Sequence, residues 1–186
     1  MTARSHYLII GNSAAATGAI EGIRAVDSTN PITLISREPH HVYSRPLISY
    51  FLAGCVEESR MWYRPPDFYE KNGVQALLGV EAKRIDVRGR HVLTSGGDSL
   101  TFDKLLIATG GRPVLPMGTA CAGVEGIFSF TTLGDILEIR GFMEKSAVRR
   151  AAVIGGGLIG IKATEALISL GVKVTVVELA DRILAS

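Results

Sequence analysis

The run Gly155-Gly156-Gly157-Leu158-Ile159-Gly160 carries the strongest chemical signal in this chain. It follows the apolar stretch AAVI and opens a helix-forming segment, and an acid, Glu178, stands 18 residues after Gly160 at the end of the next apolar run. A strand, a glycine-rich corner, a helix and a strand-terminal acid together form a dinucleotide fingerprint. Gly155 permits the tight turn, Gly157 lets backbone approach a pyrophosphate, and Gly160 lets helix and strand pack closely. The unbonded N–H groups of the first helical turn, at Leu158 and Ile159, then face the phosphates. Glu178 would accept hydrogen bonds from a ribose diol and repel a 2′-phosphate, which favours NADH over NADPH. A second corner, Gly11-Asn12-Ser13-Ala14-Ala15-Ala16, repeats the design with Ser13 in place of the middle glycine and Ala16 in place of the last. Ser36 and Arg37 stand where its ribose acid would be, with Glu38 just beyond. Two readings of this corner are open: a phosphate site, or a βαβ turn whose small residues only pack.

These corners need strands and helices to carry them. Residues 7–11 and 32–36 read as buried strands around a helix at 13–26, so a parallel βαβ unit is expected. Helical signals follow at 44–54 and 66–72, and short strands at 74–78 and 80–86. A hairpin over 90–102 has Gly96-Gly97 at its tip, and KLLIAT (104–109) reads as another buried strand. The Pro- and Gly-rich stretch 111–126 reads as a domain connection. A helix is expected near 132–145, then a strand, a helix at 158–170 and the strand VKVTVVE. Two strands and one helix cannot cover both faces of a parallel sheet, so the second unit is expected to be completed by further chain or by another chain.

Composition removes other classes. Apolar residues make up 47% of the 186 residues and charged residues 20%, which suits a packed core. A net charge of +2 gives no nucleic-acid or membrane-surface signature. The N-terminus does not read as a signal peptide, and no apolar run reaches membrane-spanning length. Two distant cysteines, Cys55 and Cys121, form no disulfide framework, CxxC pair or zinc cluster, so a reducing cytoplasm is the expected location. No HExxH, GxSxG or P-loop pattern occurs. The neighbours His40 and His41 cannot face one ligand as an i,i+4 pair does, and a solvated loop is expected there. Trp62, Tyr63 and Tyr69 read as a packing cluster.

The paired fingerprints, with TFDKLLIATGGRP (101–113) between them, resemble the two-dinucleotide flavoproteins, also called pyridine nucleotide–disulfide oxidoreductases. The resemblance covers residues 5–186. Residues 32–54 are most similar to NADH:rubredoxin reductases, ferredoxin-reductase-type enzymes and the flavin portion of NADH-dependent nitrite reductases. It implies an α/β fold: an FAD/NAD(P)-binding Rossmann-like domain, with a parallel sheet, helices and a small antiparallel β-meander, over residues 1–116. The start of a second Rossmann-like unit, for NAD(P)H, would follow over 117–186. It also implies that Gly11, Ser13, Ala14 and Ala15 line the FAD pyrophosphate, and that Glu38, or backbone near Arg37, meets the ribose. Arg45 and Pro46 match the Arg-Pro segment that supports FAD. Ala82 stands where backbone groups hold adenine, and Ala108, Thr109 and Gly110 pass close to the cofactor.

The departures bear on mechanism. The disulfide-reducing branches carry a redox cysteine where this chain has Pro46, and Cys55 lies nine residues further on. Cys55 is therefore expected to be a small buried residue, and no dithiol relay is available. Tyr50 replaces the lysine that ferredoxin-reductase-type members often carry near flavin N5, and Lys162 replaces the usual acid after the second fingerprint. Lys162 either changes how the nicotinamide carboxamide is held or is an exposed helix residue. The implied activity is an FAD-dependent NAD(P)H oxidoreductase with no acid or base of its own in this segment. It would pass electrons to rubredoxin, ferredoxin, another iron–sulfur protein or a small acceptor, as a monomer or a homo-oligomer. The alternative is a non-enzymatic dinucleotide-binding subunit that docks to a partner chain.

Overall fold

The computed structural model describes residues 5–114 and 124–185. Contacts divide the chain into two compact units, Met1–Tyr43 with Trp62–Gly111, and Ser44–Met61 with Arg112–Ser186. The expected connection between domains at 116/117 and Cys121 lie outside the described residues.

In the first unit, β1 (Tyr7–Ile10), α1 (Ala14–Val26) and β2 (Ile32–Ser36) form the expected parallel unit, with β3 (Val74–Leu78) beside β2 and β7 (Lys104–Ile107) beside β1. All pairings in this sheet, ordered β3-β2-β1-β7, are parallel. Strand alternation sends side chains to two cores. Ile9, Ile32, Leu34 and Val74 pack with Ala16 and Ile20 of α1 and Phe68 of the short helix α3 (Phe68–Lys71). Leu8, Ile10 and Ile35 point the other way and pack with Val92 and Phe102. Those last two residues belong to the meander of β4 (Ala82–Asp86), β5 (His91–Thr94) and β6 (Ser99–Thr101), paired antiparallel in that order, and to the turn that follows it. The sheet is thus covered by helices on one face and by the meander on the other.

Strand β2 is buried throughout, as its unbroken apolar run requires. Strand β7 is not the buried strand its sequence suggests. Leu106 is 38% and Ile107 59% exposed, because β7 is the last strand of the described sheet.

Arg24 pins the far end of α1. Its guanidinium donates to the carbonyls of Asn72 (2.6 Å), Asp27 (2.9 Å), Asn30 (2.9 Å) and Gly73 (3.3 Å), where a helix C-terminus leaves acceptors unpaired. Asp27 just beyond accepts hydrogen bonds from the Asn30 backbone and side-chain N–H groups and from the Tyr7 hydroxyl at 2.9 Å.

The second unit holds the parallel pair β8 (Arg150–Ile154) and β9 (Lys173–Val177), joined by α5 (Leu158–Ser169). It also holds α4 (Leu133–Lys145) and the segment Ser44–Met61, in which a 3₁₀ turn (Arg45–Leu47) leads into α2 (Ile48–Leu52). The helical signal at 44–54 is thus two short pieces, a 3₁₀ turn with Pro46 in its first positions and the five-residue α2. Arg45 Nη1 donates to the Thr131 carbonyl at 2.6 Å, and the Arg140 guanidinium lies 4.8 Å from the Phe51 ring centre. No described helix is long and apolar enough to cross a membrane.

Candidate functional site: two uncapped corners

Both glycine corners have the same backbone construction. Gly11 has φ +122° and Gly155 φ +105°, a region that favours glycine. Each gives its N–H to the next strand: Gly11 to the Ile35 carbonyl at 2.9 Å, Gly155 to the Val177 carbonyl at 2.8 Å. These glycines therefore shape the turn and do not present their own amides to a ligand. The matching bonds also align the strand ends. Ser36 follows Ile35 as Glu178 follows Val177, so Ser36 occupies the place of the acid in the first unit.

The helices that leave these corners start bare. Helix α1, after Ser13, and α5, after Gly157, have no side-chain cap and no acid in the first turn. Helix α4 shows the alternative. Thr132 and Asp135 form a reciprocal capping box, with Asp135 N–H donating to Thr132 Oγ1 at 3.1 Å and Thr132 N–H donating to Asp135 Oδ2 at 2.9 Å. A helix N-terminus that does not satisfy its own amides is electropositive and suits a phosphate. Ala14 and Ala15 are exposed at the start of α1, and Leu158 (70%) and Ile159 (58%) at the start of α5.

The remaining fingerprint glycines divide by what a side chain would meet. A methyl group at Gly160 would lie 1.9 Å from the Gly155 carbonyl oxygen, so this glycine serves the contact of helix with strand end. A methyl group at Gly157 would meet no protein atom within 4 Å, so the space above the α5 terminus is open to a ligand. At Gly11 a methyl group would lie 2.0 Å from the Ala108 carbonyl oxygen, which shows how closely the strand end Ala108-Thr109 passes the first corner. The Ala108 N–H donates to the Ile10 carbonyl at 2.7 Å, and Gly110 turns the chain away at φ +66°. At the third position Ala16 is fully buried.

Glu178 is held at the rim of the second corner. Its carboxylate accepts N–H bonds from Ala180 (2.9 Å), Gly156 (2.5 Å) and Leu179 (2.7 Å), and these hold its pKa below the ordinary carboxylate value. A fixed, ionised acid at this strand end is suited to a ribose diol. In the first unit Glu38 accepts the Tyr43 hydroxyl at 2.5 Å, and Arg37 beside it is exposed. Ala82 begins β4, opposite Thr94, where the register shifts before Arg84. These groups fit dinucleotides: open amides for the phosphates, small residues under them, and an acid for the ribose.

Arg45, Pro46, Tyr50 and Lys162 belong to the second unit. Lys162 is not a free helix residue: its ammonium donates to Glu165 at 2.5 Å and to the Tyr50 hydroxyl at 3.1 Å, 4.2 Å from that ring's centre. Glu165 first, and then Tyr50, raise its pKa. Cys55 is exposed, contrary to the expected burial, because it lies past the end of α2, where the chain has left the helix. His41 is half-buried and so not part of a solvated loop. Its ring nitrogen lies 3.1 Å from the Arg64 carbonyl, and its ring sits edge-on to Trp62 (5.8 Å) and Tyr69 (4.9 Å). Sequence reasoning missed Asn12 and Tyr69, which share a 2.7 Å hydrogen bond at the first corner. The one available signal was a polar residue between Gly11 and Ser13 in an otherwise small and apolar run.

Known proteins resemble this chain. The NADH-dependent phenylglyoxylate dehydrogenase subunit epsilon of Aromatoleum evansii is 34% identical over 95% of this chain and 41% of its own length. Putidaredoxin reductase CamA of Pseudomonas putida is 33% identical over 99% of this chain and 44% of its own length. The crystal structure of the covalent putidaredoxin reductase–putidaredoxin complex superposes with a TM-score of 0.86 at 30% identity, covering 99% of this chain and 44% of that one. The chain thus spans less than half the length of these relatives. With residues 5–186 matching its family model, the chain belongs to the pyridine nucleotide-disulphide oxidoreductases, a family of α/β oxidoreductases.

Proposed function

We propose that this chain is the dinucleotide-holding part of an FAD-dependent NAD(P)H oxidoreductase that delivers electrons to a small redox protein. FAD, when bound, supplies acceptance of hydride from NADH and release of electrons to the acceptor. The amides at Ser13, Ala14 and Ala15 hold the FAD pyrophosphate, and Glu38 with the backbone at Arg37 meets the ribose. Ala82 backbone holds adenine, and Ala108, Thr109 and Gly110 line the cofactor from the returning strand. In the second unit Leu158 and Ile159 amides hold the NADH pyrophosphate over Gly157, and Glu178 holds the ribose and disfavours a 2′-phosphate. On this reading FAD belongs to the domain expected over 1–116, apart from Ser44–Met61, whose contacts lie within the second unit, and NADH to the one expected over 117–186.

The observation that carries this reading is the contrast between helix starts: α4 caps itself, whereas α1 and α5 leave their amides open behind positive-φ glycines. The acceptor is a rubredoxin-, ferredoxin- or other iron–sulfur-type protein or a small molecule, since relatives include putidaredoxin reductase, whose crystal structure pairs it with putidaredoxin. Electrons leave without a cysteine relay, because proline occupies position 46 and Cys55 lies beyond α2. The name of the phenylglyoxylate dehydrogenase relative as a subunit favours docking to a partner chain as well.

The test is anaerobic NADH titration of the complete protein, followed by a screen of rubredoxin, ferredoxin and quinone acceptors. Bleaching of the flavin band by stoichiometric NADH is expected. A colourless protein that takes up no FAD refutes the enzyme and leaves the dinucleotide-binding subunit.

A further inference from the structure

We infer that Tyr69 and Asn12 are positioning residues for the first corner, and that one hydroxyl ties its phosphate side to its ribose side. This rests on the reading of that corner as the FAD site.

Asn12 lies between Gly11 and Ser13, inside the corner. Its amide nitrogen donates to the His40 carbonyl at 3.2 Å, and its amide oxygen accepts the Tyr69 hydroxyl at 2.7 Å. The same Tyr69 oxygen accepts the Val42 N–H at 3.2 Å, and Val42 is fully buried. Three segments far apart in sequence meet at this point: the β1–α1 corner, the loop after β2, and α3. The Asn12 amide is used at both ends, so its plane, and the backbone that carries it, is fixed. The Tyr69 ring is itself held edge-on against His41 (4.9 Å) and Phe68 (5.6 Å), and burial pushes its phenol pKa up. The hydroxyl therefore stays protonated and donates to Asn12.

The arrangement answers a problem posed by the sequence. Ser13, in place of a glycine, holds an extended backbone at φ −141° and has less conformational freedom than glycine would. The corner's geometry is set in advance from outside, by Tyr69 and Asn12. The loop they hold, from Ser36 to Tyr43, carries Arg37 and Glu38. A ligand that touches both sides, an adenosine diphosphate group, benefits from both ends being fixed before it arrives.

The test uses the complete protein, stripped of flavin, with FAD affinity read by fluorescence titration, ADP affinity by competition, and Tm alongside. Tyr69→Phe keeps the ring and its packing and removes only the hydroxyl. Asn12→Ala removes the other partner and serves if Tyr69→Phe does not fold. Each is expected to weaken FAD and ADP by the same factor, about five- to tenfold. The double variant is expected to be no weaker than about either single one, because both act through one connection. Parent-like FAD affinity in Tyr69→Phe overturns the inference, and so do losses that multiply in the double variant, while parental FAD binding leaves the functional reading standing. A stripped parent that binds neither FAD nor ADP overturns that reading and the inference with it.

Discussion

Gly157 and Gly160 occupy one fingerprint but do separate jobs, and alanine at each position separates them. An alanine methyl at position 160 would sit 1.9 Å from the Gly155 carbonyl oxygen, where an ordinary contact begins at 3.4 Å. The obstacle is backbone, so the first turn of α5 must retreat by about 1.5 Å. Overpacking of this kind costs about 1–3 kcal/mol. In a protein of at least 186 residues that corresponds to a Tm drop of roughly 2–12 °C. Position 157 is the opposite case. Its φ of −74° suits any residue, and a methyl there touches nothing within 4 Å. Glycine to alanine at a helix N-cap costs at most about 1 kcal/mol. That methyl would instead occupy the space assigned to the NADH pyrophosphate, and at least about a tenfold loss of NADH affinity is expected. Thermal denaturation and NADH titration of both variants in the complete protein provide the readout. Gly157→Ala with parental NADH affinity refutes the assignment of that space to phosphate. Gly160→Ala with parental Tm refutes the packing argument.

Glu178→Arg should invert the preference from NADH towards NADPH in paired titrations, and an unchanged ratio removes Glu178 from the ribose site. Because backbone N–H groups hold the Glu178 pKa below its ordinary value, the acid is ionised at and above pH ~5, and NADH affinity should show no titration from this group there. Arg24→Lys replaces a fork that donates to four carbonyls, and a loss of about 2 kcal/mol in urea denaturation is expected; a change within noise refutes its role as the α1 terminus pin. Asp27 has a strongly depressed pKa, chiefly from the Asn30 backbone and side-chain N–H groups and then the Tyr7 hydroxyl. A depressed acid stabilises the fold fully above its unfolded pKa of about 3.9, and that stabilisation falls away as the pH drops below it. The urea midpoint of the parent should therefore fall more steeply between about pH 5 and 2 than that of Asp27→Asn, and equal slopes refute the linkage. Cys55→Ser should leave NADH-dependent acceptor reduction unchanged, and loss of that activity with FAD retained would reinstate a thiol relay.

Local pattern made most elements readable. Strands β1 and β2 are short apolar runs bounded by glycine or turn residues, and α1 follows a corner of small residues, so the βαβ unit is visible without any tertiary information. The exposure of β7 was hidden, because Leu105, Leu106 and Ile107 read as buried whether a strand lies inside a sheet or at its margin. The expected burial of Cys55 fails because α2 ends at Leu52, and a cysteine's residue type does not report where the helix before it stops. The pairing of Lys162 with Tyr50 spans 112 positions, and that of Tyr69 with Asn12 spans 57, and no local periodicity encodes either. The membership of Ser44–Met61 in the second unit is equally non-local. The corners were legible because glycine and acid spacing follows from backbone geometry, whereas the side chains that brace them are set by tertiary contacts.

The approach of Gly11 to Ala108 also bears on biosynthesis. Strand β1 takes β7 as a neighbour, with Tyr7 opposite Lys104, 97 positions later. At typical elongation rates the ribosome needs roughly 5–20 s to make that stretch. Until then the first strand has one flank bare, and the earliest-made corner lacks the strand that closes it. On the proposed reading of that corner, a nascent chain halted before Lys104 should therefore capture no flavin nucleotide, although its glycine motif emerged long before.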